Sequence, residues 1–167
     1  MRLLNKIRTK SRFSGVLMDL ISGAAATLAL PPFFIVPTLC FLGLPVWRVI
    51  HANSRVEAAG IFGAAGFGWF LASTFWVSHA LIVSAPALWF LTPFVALALA
   101  LLLAIFWAVA AAASWIPRAS ALVRVLCLLA AFALIEWTRG FVASGFPWSL
   151  MGSIFAVHLS SLQVASV

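Results

Sequence analysis

Glu136 and Arg139 stand three residues apart near the end of an apolar run, a spacing that puts both on one face of a helix. Ionisable side chains within a membrane segment are expensive and tend to mark function. The alternative is a mutually neutralising pair near the interface, with Arg139 snorkelling towards the headgroups. Ser78 and His79 offer a hydroxyl beside a base. Adjacent residues on a helix point in different directions, however, and nucleophilic catalysis also needs an orienting group and an oxyanion site. The three His (His51, His79, His158) are scattered, and Cys40 and Cys127 fall in apolar runs without CxxC spacing. Neither a metal centre, a disulfide framework nor a cofactor is expected from them.

Two further clusters have a bland and a sharp reading. Gly60, Gly63, Gly66 and Gly68 could suggest a phosphate cradle, but the residues between them are apolar and no strand precedes them. Gly60, Ala64 and Gly68 recur every fourth residue, which predicts close helix packing in lipid. Trp69, Phe70, Phe75 and Trp76 gather with Phe146 and Trp148 at one end of the apolar runs. They read as an interfacial aromatic belt, or as a lipid-facing groove gated by aromatic side chains.

These residues need elements to hold them, and composition says of what kind. Of 167 residues 65% are hydrophobic and 8% charged, with a mean hydropathy of +1.19. Soluble domains carry about 25% charged residues, and disordered chains lack the 15 Phe and 8 Trp found here. The sequence predicts an all-α integral membrane protein, a bundle of about five to six transmembrane helices, at ~20 residues per span.

The pattern predicts a basic tail, residues 1–13, and a transmembrane helical domain over 14–167 with its last helix expected to be truncated. The first apolar run, Ser14–Leu30, is read as an uncleaved anchor rather than a signal peptide because Asp19 interrupts it and further runs follow. Pro31-Pro32 stops it. The second run, Phe33–Ile50, contains Pro37 and Pro45. Both are short for a bilayer and either cross it or form a re-entrant hairpin; in both cases the chain returns to its starting side. Later spans are expected at about Ala58–His79, Ala87–Trp115 and Leu122–Val142, with Ser149–Val167 starting another.

The net charge of +7 is concentrated in the tail and in short gaps between runs. Nine of the ten Lys and Arg then fall on one side and Arg139 alone on the other. That asymmetry predicts a cytoplasmic amino terminus, with the Gly145-Phe146-Pro147-Trp148 turn on the outer side. It does not form the stripe expected of a nucleic-acid binder, so no nucleic-acid partner is expected.

The motifs also occur in a familiar order. Leu30-Pro31-Pro32-Phe33 comes first, then the glycine-rich run into Phe75-Trp76-Val77-Ser78, then Glu136-Trp137-Thr138-Arg139-Gly140 followed by Gly145-Phe146-Pro147-Trp148. This order resembles the amino-terminal membrane region of bacterial apolipoprotein N-acyltransferases. The resemblance runs through nearly the whole chain. It departs at Ser144, where Thr is usual, at Phe141, where Trp is common, and in the absence of Tyr.

The resemblance implies an inner-membrane protein whose partners are membrane phospholipid and a lipoprotein substrate. Members move an acyl chain from phospholipid, through a Cys thioester, to the α-amino group of a lipoprotein's lipidated amino-terminal Cys. A nitrilase-like domain with a Glu–Lys–Cys triad performs this, and it follows the region matched here. No Lys follows Lys10 in this sequence, so no catalytic residue is expected within it, and no catalysis from it alone. Trp76, Phe146, Pro147 and Trp148 are the implied substrate-access residues, with Glu136 and Arg139 fixing the turn. The other readings are a non-catalytic lipid-binding or assembly module, an inert remnant, and a small transporter. The last is disfavoured by the absence of an internal repeat.

Overall fold

The computed structural model describes residues 2–142 and 149–157, with side chains from 13 to 142 and 149 to 154. Every described element is helical: α1 (Arg2–Ala26), α2 (Gly43–Ile50), α3 (Arg55–Thr74), α4 (His79–Ser84), α5 (Thr92–Ser114) and α6 (Ala121–Arg139), joined by 3₁₀ turns. Three stretches are long and apolar enough to cross a membrane: Arg55–Ser84, Pro86–Ser114 and Ala121–Arg139. Two shorter apolar stretches, Phe13–Ala29 and Val36–Ile50, precede them. The multi-pass helical membrane architecture read from the sequence is therefore present.

The two short stretches form a hairpin. Pro31 and Pro32 interrupt the first, and the chain reverses through bonds from the Phe33 amide to the Leu30 carbonyl (3.1 Å) and from the Ile35 amide to the Leu28 carbonyl (2.9 Å). The second arm runs back until Arg48 reaches the start of the first. There its guanidinium pairs with the carboxylate of Asp19, which is fully buried, and donates to the Gly15 carbonyl at 2.7 Å. A side chain at Gly15 would collide with that guanidinium. An ion pair within apolar surroundings tolerates little loss, because either charge left alone is uncompensated.

The sequence of α3 carries its own start. Ser54 caps it by accepting from the Glu57 amide at 3.1 Å, and Glu57 reaches back to the Asn53 amide at 2.9 Å. This is close to a capping box, which satisfies amides that the first turn leaves without partners. α6 starts likewise on Ser120.

α3 forms the centre, lying between α1 on one side and α5 on the other. It crosses α1 where a Cβ at Gly23 would strike the Ala65 carbonyl and one at Gly68 would strike that of Leu20. Gly68 fulfils the packing role read from the sequence, but Gly60 has nothing within 4 Å. Crossing helices touch around a point, not along a whole stripe, and the crossing lies at the Gly68 level. Towards α5, a Cβ on Gly66 would come within 2.9 Å of Trp107. Trp107 stacks on Phe62 at 4.9 Å and meets Phe132 of α6 edge-on at 5.2 Å. These rings join the three long stretches in one core.

The polar loops beyond this core meet at one end. Trp115 donates from its indole to the Ala52 carbonyl at 3.0 Å, and Arg124 to the carbonyls of Ile50 and Ala52 at 2.8 and 3.0 Å. Arg48 and Gly15 lie at the same end.

Candidate functional site

At the opposite end, three stretches distant in sequence surround one cavity of about 500 Å³. Leu30, Pro31, Pro32 and Phe33 come from the hairpin turn, and Ala72, Ser73, Phe75 and Trp76 from the end of α3 and the 3₁₀ turn after it. Ser149 and Ser153 come from the segment beyond α6, and Thr27 completes the wall. The lining is mostly apolar and aromatic with a few hydroxyls, the usual character of a site for an amphiphilic ligand.

Trp76 is half exposed and lines the cavity, its indole N–H donating to the Ser73 carbonyl at 3.0 Å. That bond ties the ring back to the last turn of α3. The Ser73 hydroxyl is buried and has no partner among the described residues, whereas those of Thr27 and Ser153 donate to the Ala24 and Leu150 carbonyls. Ser149 carries the fourth hydroxyl of the lining.

Glu136 and Arg139 lie on the end of α6, one helical turn apart as their spacing predicted, with Nη2 of Arg139 3.0 Å from Oε2 of Glu136. Arg139 is 1% exposed and sits over the Phe70 ring, 4.8 Å from its centroid. A cation over an aromatic face gains more when water is excluded, as here. The pair faces inward and holds the returning chain: Oε2 also accepts the Met151 amide at 3.2 Å. The pair neutralises itself and adjoins a wall of the cavity, while Oε1 of Glu136 and Nε and Nη1 of Arg139 are buried without a partner among the described residues.

Trp69, one of the aromatic residues noted in the sequence, backs that wall, and Ser149 lines it, a residue the sequence did not single out. The Trp69 indole, fully buried, donates to the Ser149 carbonyl at 3.2 Å. Phe146, Pro147 and Trp148 lie outside the described residues; the structure brings Trp76 to the cavity and Glu136 and Arg139 to its support. Ser78 and His79 each turn to Phe75. The Ser78 hydroxyl donates to the Phe75 carbonyl at 2.6 Å, and the His79 ring lies edge-on to Phe75. Neither Cys40 nor Cys127 lines the cavity. The Asp19–Arg48 pair was also missed, although an acid inside an apolar run is itself a demand for a partner.

A profile of the family described as "Apolipoprotein N-acyltransferase N-terminal domain" matches residues 22–167. The chain belongs to this family. The apolipoprotein N-acyltransferase of Agrobacterium fabrum is 35% identical over 161 residues, covering 90% of this chain and 30% of the relative. That of Caulobacter vibrioides is 35% identical over 158 residues, covering 93% and 30%, and that of Brucella suis 36% over 162 residues, covering 90% and 30%. The chain thus spans about 30% of the length of these relatives. The match covers the Leu30–Phe33 turn, the end of α3, the end of α6 and the segment beyond it.

Proposed function

We propose that this chain is the membrane portion of an apolipoprotein N-acyltransferase and that its cavity admits and positions the phospholipid acyl donor. The carrying observation is the convergence of Leu30–Phe33, Ala72–Trp76 and Ser149 on one cavity. Each adjoins or contains a motif of the family, and they are far apart in sequence. A requirement to pack helices would not by itself bring the family's motifs to one opening.

In this reading the reaction moves an acyl chain from phospholipid to the α-amine of a lipidated amino-terminal Cys. It needs a thiolate with a base beside it and donors for the developing oxyanion. The chain's two thiols lie away from the cavity, so its contribution is access and orientation, which lower the barrier by holding the reactants in place. Trp76 gates the opening together with Phe146, Pro147 and Trp148, and Glu136 with Arg139 keeps the Ser149 wall in place. The nine-to-one distribution of Lys and Arg supports a cytoplasmic amino terminus in the inner membrane, with the cavity on the outer side.

The test uses a full-length relative carrying Ala at the positions of Trp76 and Glu136, one at a time. Acyl transfer to a lipoprotein peptide is expected to fall in both while the protein remains in the membrane. Full activity in both variants removes the assigned roles.

A further inference from the structure

We propose that the end of the bundle opposite the cavity is a docking surface for the headgroups of anionic phospholipids. α1 is one continuous helix from Arg2 to Ala26, yet its apolar stretch begins only at Phe13. About three turns, roughly 16 Å at 1.5 Å per residue, therefore extend beyond the apolar part. That extension carries Arg2, Lys6, Arg8, Lys10 and Arg12, and the first acidic residue in the chain is Asp19. Arg2, Lys6 and Lys10 recur at intervals of four, where like charges on a helix repel unless a counter-charge is supplied.

The rest of that end supplies one carboxylate that no cation pairs among the described residues, Glu57. Arg48 is committed to Asp19 and Gly15, and Arg124 to the Ile50 and Ala52 carbonyls while lying over the Trp115 ring. Arg55 and Arg118 are exposed and enter no ion pair among the described residues. Glu57 accepts from Asn53 through both its amide and its side chain, so this single acid stands against Arg55, Arg118 and the five basic residues of the extension. The Gly15–Arg48 and Ala52–Trp115 bonds place the root of the α1 extension and the two loops at one level. Basic residues clustered where a helix leaves the hydrocarbon are what an anionic leaflet attracts. The extension has no interleaved aromatic residues on which bases could stack, so charge complementarity favours lipid. This surface is independent of the acyl-transfer reading.

The experiment takes the full chain in neutral detergent with equal amounts of phosphatidylglycerol and phosphatidylcholine and counts retained lipids by native mass spectrometry. Phosphatidylglycerol is expected to be retained about five-fold over phosphatidylcholine, and the preference to shrink as NaCl rises from about 0.05 to 0.5 M. Arg55→Gln with Arg118→Gln, and separately Gln at all five basic positions of the extension, should each reduce it. Equal retention of the two lipids overturns the proposal, as does an undiminished preference in both variants. Displacement of phosphatidylglycerol by a single-stranded oligoribonucleotide also overturns it, by assigning the surface to nucleic acid.

Discussion

The backbone N–H of Met151 donates to Oε2 of Glu136 at 3.2 Å, across fifteen positions of sequence. The same oxygen takes Nη2 of Arg139 at 3.0 Å, and Arg139 lies over Phe70 of α3. One carboxylate therefore links α6, α3 and the returning chain. Ser149 and Ser153, which that chain contributes to the cavity, take their position from it.

Glu136→Ala should destabilise the protein and loosen the returning segment together. It leaves the Arg139 guanidinium, 1% exposed, without its charge partner. Breaking one side of a buried pair costs about 3–5 kcal/mol. The Met151 amide should exchange with solvent faster, measured by hydrogen exchange, and the unfolding midpoint in detergent should fall. Replacing both partners by Leu should recover more than half of the loss, because no lone charge remains. A midpoint unchanged by Glu136→Ala would show that the pair carries no weight.

The glycines of α3 separate into two kinds, which one substitution each distinguishes. Gly68→Ala sets a methyl against the Leu20 carbonyl of α1 and must push the helices apart, whereas Gly60→Ala meets open space. Overpacking of a close contact costs about 1–3 kcal/mol. Removing an interior helical Gly gains up to ~1 kcal/mol of propensity. Unfolding in a denaturing detergent series should show Gly68→Ala destabilised and Gly60→Ala neutral or better. The reverse order would displace the α1–α3 crossing from this level.

The long helices were legible because hydrocarbon demands continuous apolar runs: the fourth span was expected to end at Trp115, and α5 ends at Ser114. The Glu136–Arg139 pair was legible for the same local reason, three residues being one helical turn. Facing was not. α5 is apolar all round, so nothing in its pattern says which side meets α3, and the expected Gly60–Gly68 stripe proved to be a crossing at one end. Contacts across long loops were equally hidden. The sequence shows Asp19 in an apolar run but not Arg48 as its partner, and shows Trp69 but not the Ser149 carbonyl it binds. Ser54 and Glu57, three residues apart before an apolar run, carry a readable helix start.

The Asp19–Arg48 pair closes the proline-containing hairpin and should behave as a coupled unit. Asp19→Asn and Arg48→Gln each leave a buried group incompletely paired, so each should lower stability, while the double variant should lose less than the two added together. Coupling between residues in direct contact runs to about 0.5–3 kcal/mol, and a value near the upper end is expected because Asp19 is fully buried. A double-mutant cycle on unfolding free energies in detergent measures it. Strict additivity would mean that the hairpin is held by its apolar contacts and the proline turn alone.

The cavity itself can be tested by filling it. Ala72 lines it from α3 and carries the smallest side chain of the wall, so a Trp there occupies volume that a lipid would need. Leu101 on α5 is 61% exposed on the apolar surface, so Trp at that position changes bulk without touching the cavity. Both variants are made at the matching positions of a full-length relative, with thermal unfolding as the check on folding. The cavity variant should lower kcat/KM for acyl transfer about tenfold at limiting phospholipid, mainly through KM, as expected when binding is removed without loss of the transition-state contacts. The surface variant should retain its activity. If the two variants retain equal activity, the acyl donor does not pass through this cavity. If the cavity variant instead loses kcat alone, the wall positions the reacting groups and does not admit the lipid.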